Sequence, residues 1–291
     1  MIVLRSFRRI LALTLNTLTD LTRQRVFYFA LVFALVLIAS SVLMARFSFQ
    51  EEFQILKDVS LGAMSLVTSL LAVVATARLI PQDLEDRTVY TILSKPVPRF
   101  EYLLGKLFGI LLLLALSLLV MSTLFVLVLY LREQTVLSET MRQMSSAPRE
   151  QMEAALRSVH ASALNLNLLP AIATIYLKAV LLAALTLFVS TFASTNIFTI
   201  IVMLFVYLIG HLQGVAREYW LQNHGGSWVA QGFLALVALL FPDLQAFNLI
   251  DDAVAGTAIP LTLFVKTALL GLFYTTVYTL LATVAFYGKE L

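Results

Sequence analysis

Six long apolar runs dominate this sequence and restrict what it can fold into. A helix of about 20 residues rises about 30 Å, which is the thickness of the hydrocarbon core of a bilayer. The runs comprise residues 26–45, 59–80, 107–131, 168–193, 196–212 and 261–287. The chain is 60% hydrophobic and 13% charged, whereas soluble domains are about 25% charged. We therefore expect an all-α integral membrane protein with six transmembrane helices.

Basic residues near the N-terminus predict the orientation of the chain. Residues 1–25 alternate at helical spacing between leucine-rich and arginine-rich faces, which is typical of an interfacial helix. Five arginines in this segment precede the first run, and short segments rich in Lys and Arg stay on the cytoplasmic side. With six crossings, both termini are cytoplasmic. We expect a multi-pass protein of the cell inner (plasma) membrane, with residues 26–291 as one transmembrane domain.

Two further segments lie between the runs. Residues 229–241 are apolar but number only 13, too few to cross, so we expect a re-entrant or interfacial segment before the last span. Counting them as a span would give seven crossings and an outside C-terminus. Residues 132–167 form an extracytoplasmic insertion, in which a helix begins near Pro148 and residues 133–144 pair with it as a hairpin.

Few charged side chains lie inside the runs, and this limits the mechanisms available. None of the 17 acidic residues lies in any of the six runs, whereas ion-coupled carriers commonly bind the driving ion with an intramembrane carboxylate. Lys178 and Lys266 lie well inside their runs, in the outer half of the predicted bilayer. Either lysine could face an anionic substrate, but we favour snorkelling of both towards the outer surface.

The sequence offers no constellation for catalysis. It has three scattered histidines and no cysteine, so we expect no catalytic residues and no enzyme activity in this chain. Lys106 follows Gly105, but Phe100 and Leu107 do not fit a phosphate-binding loop. Three methionines near His160 could suggest a soft-metal site, but we favour apolar packing and expect no metal. The net charge of +3 gives no indication of nucleic-acid binding.

Gly105 and Gly109 form a GxxxG spacing just before and inside the third run. Small residues at this spacing allow two helices to approach closely. The spacing is compatible with dimerisation and equally with packing inside one chain.

The segment from residue 78 to 106 places dense charge between the second and third runs. Its five basic residues predict a cytoplasmic location. Helical spacing continues from Leu84 to Ile92, and Pro96 and Pro98 prevent a helix from continuing past Lys95. The segment contains, in order, Glu85, Thr88, Leu-Ser-Lys-Pro, Arg99 and Leu-Leu-Gly-Lys.

This order resembles the first cytoplasmic loop of ABC-2 type permeases, the membrane subunits of ABC exporters. The N-terminal helix, the tight turn between spans four and five, and residues 242–248 before the last span are also similar to that family. We note a similarity to its branch named for copper-enzyme maturation and gliding motility.

The resemblance implies a permease that dimerises with itself or a close homologue and binds two copies of a separate ABC ATPase subunit. ATP and Mg²⁺ would then be bound in that partner, with no cofactor in this chain. The loop 81–106 would be the coupling element, with a helix from Gln82 to Ser94. Its ATPase-facing residues would be Glu85, Asp86, Arg87 and Thr88.

An alternative function remains open at this point. The insertion 132–167 would also suit a non-transporting membrane anchor or a mechanotransmission subunit that docks a periplasmic partner. The sequence does not identify a substrate.

Overall fold

The computed structural model describes residues 2–45, 52–86, 98–145, 148–165, 167–222 and 241–288. Within them the chain is helical and contains no strand, and six helices are long and apolar enough to cross a membrane. The prediction of an all-α membrane protein with six spans is therefore confirmed. The helices are α1 (Ile2–Thr22), α2 (Arg25–Ala45), α3 (Glu52–Glu85), α4 (Arg99–Gln143), α5 (Arg149–Ala163), α6 (Leu168–Phe192), α7 (Asn196–Gln222), α8 (Ile250–Ala255) and α9 (Leu261–Tyr287).

Helix α6 lies at the centre of the bundle. It packs principally against α3 and α9, and most of its side chains between Thr174 and Thr191 are buried. Helix α2 packs on α3, whereas α7 makes few contacts and leaves a wide apolar face exposed. Such a face is stable in lipid, because acyl chains are as apolar as the side chains that they meet.

Helix α1 packs against the first turns of α4 through two glycines. A Cβ atom built on Gly105 would lie 2.5 Å from Leu13 Cβ, and one on Gly109 would lie 2.6 Å from Thr17 Cβ. No side chain fits at such distances, so only glycine allows the two helices this approach. The GxxxG spacing thus serves packing inside one chain, one of its two possible roles. The opposite side of α1 exposes Phe7, Leu11 and Leu15.

Helix α4 extends beyond any bilayer. Its 45 residues rise about 68 Å at about 1.5 Å per residue, roughly twice the hydrocarbon thickness. Its C-terminal end forms a hairpin with α5, which begins after Pro148. Buried Glu133 on α4 hydrogen-bonds His160 on α5, and Lys57 on α3 donates to the Ser162 carbonyl. One contact therefore joins the two helices of the hairpin, and the other joins the hairpin to α3.

The segment before α9 enters the bundle. Leu244 precedes the short 3-10 turn Gln245–Phe247, and Phe247 is its last residue. Each of these two side chains is 1% exposed. A Cβ on Gly210 of α7 would lie 2.7 Å from Leu244 Cγ, and a Cβ on Gly271 of α9 would lie 2.9 Å from Phe247 Cε1. Gly271 lies ten residues into α9, so Phe247 reaches about 15 Å below the start of that helix. The predicted re-entrant segment 229–241 falls, except for Phe241, outside the described residues.

We expect thiol labelling to verify the six-span topology. The chain has no cysteine, so single cysteines can be introduced at Ser145 in the hairpin, at Glu85 at the end of α3, and at Gly288 after α9, all exposed. In intact cells a membrane-impermeant maleimide should label Ser145→Cys alone. Glu85→Cys and Gly288→Cys should react only after permeabilisation. Labelling of Gly288→Cys in intact cells would indicate a seventh crossing.

Candidate functional site

The C-terminal end of α3 and the N-terminal end of α4 are joined by an ion pair and a hydrogen bond to one carboxylate. Asp83, two residues before the end of α3, lies 2.6 Å from the Nζ atom of Lys106 in the second turn of α4. The hydroxyl of Tyr102 donates a hydrogen bond to the same Asp83 oxygen. Lys106 is 5% exposed and Tyr102 is fully buried. A buried charge is stable only when it is paired and hydrogen-bonded, so Asp83 holds the two helix ends together.

A second contact connects this region to α1. Glu101 in the first turn of α4 is 7% exposed and lies 3.6 Å from an Nη atom of Arg9. The Arg9 side chain is about one-third exposed, so the ion pair itself contributes little to stability. Its effect is to fix the register of α1 on α4, beside the close approach at Gly105.

Arg99 connects the start of α4 to the end of α9. Its Nη1 atom donates to the carbonyl oxygens of Phe286 (2.8 Å) and Tyr287 (3.0 Å), and its guanidinium lies 5.8 Å from the centre of each ring. The last carbonyls of a helix have no partner within the helix and carry partial negative charge, which a cation stabilises. Arg99, the first residue of α4, therefore caps the C-terminal end of α9.

A polar cavity of about 350 Å³ opens beside these contacts. Its walls come from the junction of α1 and α2, the end of α3 and the start of α4. The lining residues are Asp20, Arg23, Gln24, Leu79, Gln82, Asp83, Asp86 and Lys106.

The structure describes two of the four predicted ATPase-facing residues. Glu85 and Asp86 are exposed at the end of α3. Arg87 and Thr88 lie outside the described residues. Residues 82–85, expected as the start of a separate helix, instead continue α3 through Pro81. A proline removes its own N–H from a helix and crowds the carbonyl four residues earlier, and transmembrane helices tolerate this when neighbouring groups compensate.

Four contributors to this site were not singled out by the sequence: Arg9, Asp83, Glu101 and Tyr102. One signal was available, because Tyr102 and Lys106 are four residues apart and share a helix face. The pairing of that face with Asp83 depends on how α3 and α4 pack, which the spacing does not show.

The two intramembrane lysines lie in different environments. Lys178 on α6 is 4% exposed, and its Nζ atom donates to the Ser65 hydroxyl of α3 at 2.5 Å. Snorkelling of Lys178 towards the outer surface, which the sequence favoured, is therefore wrong, because the side chain points between two packed helices. Lys266 on α9 is exposed. The structure does not bring the two lysines into one site.

A comparison with protein families identifies the family of the chain. A family model described as ABC-2 family transporter protein matches residues 11–291. A comparison with curated proteins finds no match. The family match gives no support to the alternative of a non-transporting anchor. Since the match covers nearly the whole chain, the protein belongs to the ABC-2 transporter family and is a multi-pass membrane permease subunit of an ABC transporter.

Proposed function

We propose that this permease exports its substrate by coupling to a separate ABC ATPase through the loop 81–106. The observation that supports the proposal is the contrast between exposed and fixed residues at the cytoplasmic end. Glu85 and Asp86 are exposed at the end of α3, whereas Asp83, one turn or less away, is fixed to α4. Exposed charges beside a residue that is fixed by an ion pair suit a docking surface, because charges at an interface determine register and partner choice.

The contacts around this loop give a physical route for coupling. A displacement of the loop would act on α4 through Lys106, on α1 through Arg9, and on α9 through Arg99. Helix α9 packs extensively on α6, the central helix. A movement imposed by the ATPase would therefore reach the middle of the bundle through side chains that are already in contact.

The assembly that we propose has two permease chains, identical or closely related, and two ATPase subunits that bind ATP and Mg²⁺. Both termini are cytoplasmic, and the membrane is the inner (plasma) membrane. The hairpin of α4 and α5 then projects outside, where a periplasmic partner could bind. Assignment to the branch named for copper-enzyme maturation and gliding motility stays a prediction.

Removing the charge of Glu85 or of Arg87 should separate ATP hydrolysis from export. Truncating a hydrogen-bonded charge at an interface costs about 2–5 kcal/mol. We therefore expect Glu85→Ala and Arg87→Ala each to weaken ATPase association about a hundredfold, which corresponds to about 3 kcal/mol. Co-purification of the ATPase in detergent would measure association, and a comparison of transport with ATP hydrolysis in reconstituted vesicles would measure the separation.

Glu150→Ala is the matched control, because Glu150 is an equally exposed acid on the outer hairpin. It should retain both the ATPase and transport. If Glu85→Ala and Arg87→Ala also retain the ATPase and transport at the unmodified rate, the loop is not the coupling element.

A further inference from the structure

An apolar groove of about 220 Å³ lies between α3 and α7. Its walls are Leu66, Leu70 and Val73 of α3, and Ile200, Met203 and Leu204 of α7, with Ser69 and Tyr207 as the only hydroxyl groups on the lining. Pockets for drug-sized ligands are about 300–1,000 Å³, so this groove suits a single aliphatic chain rather than a ring system. Leu66 and Leu70 at its edge are about half exposed, so the groove opens towards the surrounding lipid.

The hydroxyl groups of the groove lead towards the buried lysine. The Tyr207 and Ser69 side chains both line the groove, and Ser69 Oγ donates to the Ser65 carbonyl at 2.7 Å. Ser65 Oγ in turn accepts the hydrogen bond from Lys178 Nζ. Ser65 and Ser69 are one helical turn apart, which is about 6 Å along α3. The ammonium group therefore lies within about one turn of the polar wall of the groove.

The charge of Lys178 lacks a counterion in the described part of the chain. None of the ion pairs found there includes Lys178, and its one hydrogen-bond partner is a neutral hydroxyl. His211, whose ring lies 4.2 Å from that of Tyr207, interacts electrostatically with both Lys178 and Asp243. Ionisable side chains within a membrane are costly to bury and are commonly found where ions or substrates pass.

We infer that this groove binds an amphipathic anion, with one aliphatic chain between α3 and α7 and an anionic head at Ser69 and Tyr207. The inference rests on the proposed transport function and names the class of its substrate. Tyr207 would donate a hydrogen bond to the head group, whereas the Ser69 hydroxyl already donates to the Ser65 carbonyl. Lys178 would contribute the field of a positive charge, which is strong over a few ångströms where water is excluded.

Paired fluorescent probes would test this inference. 10-(1-Pyrenyl)decanoic acid and 10-(1-pyrenyl)decanol share a chain and differ in the charge of the head group. We would measure their binding to the full permease chain in uncharged nanodiscs, with dodecyl phosphate as a competitor to show whether phosphate heads are also accepted. The acid should bind the unmodified protein about tenfold more tightly than the alcohol.

The variants separate the charge of the site from its shape. Lys178→Met should abolish the preference for the acid while leaving binding of the alcohol unchanged, which also shows that the groove is intact. Lys178→Arg should retain the preference, and so should Lys266→Met, which removes an exposed intramembrane lysine. Leu70→Trp, at the open edge of the groove, should weaken binding of both probes.

Equal affinity of the acid and the alcohol for the unmodified protein would overturn the inference, since the groove would then hold any bilayer chain. An unchanged preference in Lys178→Met would overturn it as well. These measurements need no ATPase, so a failure of the coupling proposal would leave them unaffected. Conversely, loss of anion binding would leave the coupling experiment with Glu85 and Arg87 valid.

Discussion

Replacing Gly105 or Gly109 with leucine is expected to destabilise the part of the bundle where α1 packs on α4. A Cβ at either position would lie within 2.6 Å of a side-chain atom of α1, and a leucine adds three further carbons. Overpacking a tight contact costs about 1–3 kcal/mol, and here the rigid backbones of two helices limit relaxation. Thermal unfolding of the purified variants in detergent should show a lower midpoint for each of them.

Gly62→Leu provides the control for this experiment. Gly62 lies on α3, and a Cβ there would meet no atom within 4 Å. The thermal unfolding midpoint of this variant should be close to that of the unmodified protein. The comparison separates a steric effect from the general effect of replacing a helical glycine. If Gly105→Leu and Gly109→Leu are as stable as Gly62→Leu, α1 does not pack on α4 as the structure shows.

The position of the six spans could be predicted because an apolar run of about 20 residues has few alternatives to crossing the bilayer. The ends of the helices could not be predicted in the same way. The third run ends at Leu131, but α4 continues to Gln143, because Arg132 and Glu133 leave the bilayer without leaving the helix. Hydropathy reports where the hydrocarbon ends, whereas polar residues with good helix propensity extend a helix into water.

The sequence also did not predict which individual side chains would be buried and which exposed. Lys178 and Lys266 both interrupt apolar helices, yet one is buried beside Ser65 and the other is exposed. A span that is apolar on every side does not reveal which face turns towards its neighbours. Similarly, the charges between residues 78 and 106 predicted a cytoplasmic junction, but not that Asp83 would be shared between Lys106 and Tyr102.

The ion pair between Asp83 and Lys106 differs from most surface ion pairs because both side chains are largely buried, although a polar cavity lies beside them. Lys106 is 5% exposed, and the hydrogen bond from Tyr102 orients the Asp83 carboxylate. A solvated pair contributes about 0–1 kcal/mol, whereas breaking a buried pair leaves an unneutralised charge and costs about 3–5 kcal/mol. The Asp83 contact is therefore the part of this site whose loss should be most severe.

We expect Asp83→Ala to destabilise the protein by about 3–5 kcal/mol, because the buried ammonium of Lys106 would lose its counterion. Tyr102→Phe should cost less, about 1.5–3 kcal/mol, since it removes one hydrogen bond to a charged group and leaves the ion pair. Unfolding midpoints in detergent and the yield of folded protein on size-exclusion chromatography would measure both effects.

The double variant Asp83→Leu/Lys106→Met distinguishes an ion pair from a merely well-packed contact. Replacing both members of a buried pair with apolar side chains of similar size is often neutral or stabilising, so this variant should recover most of the stability lost in Asp83→Ala. It should recover less of the coupling to the ATPase, because α3 and α4 would then be held by apolar packing without a fixed register. A double variant that is as unstable as Asp83→Ala would show that the unneutralised ammonium of Lys106 is not the cause of the instability of Asp83→Ala.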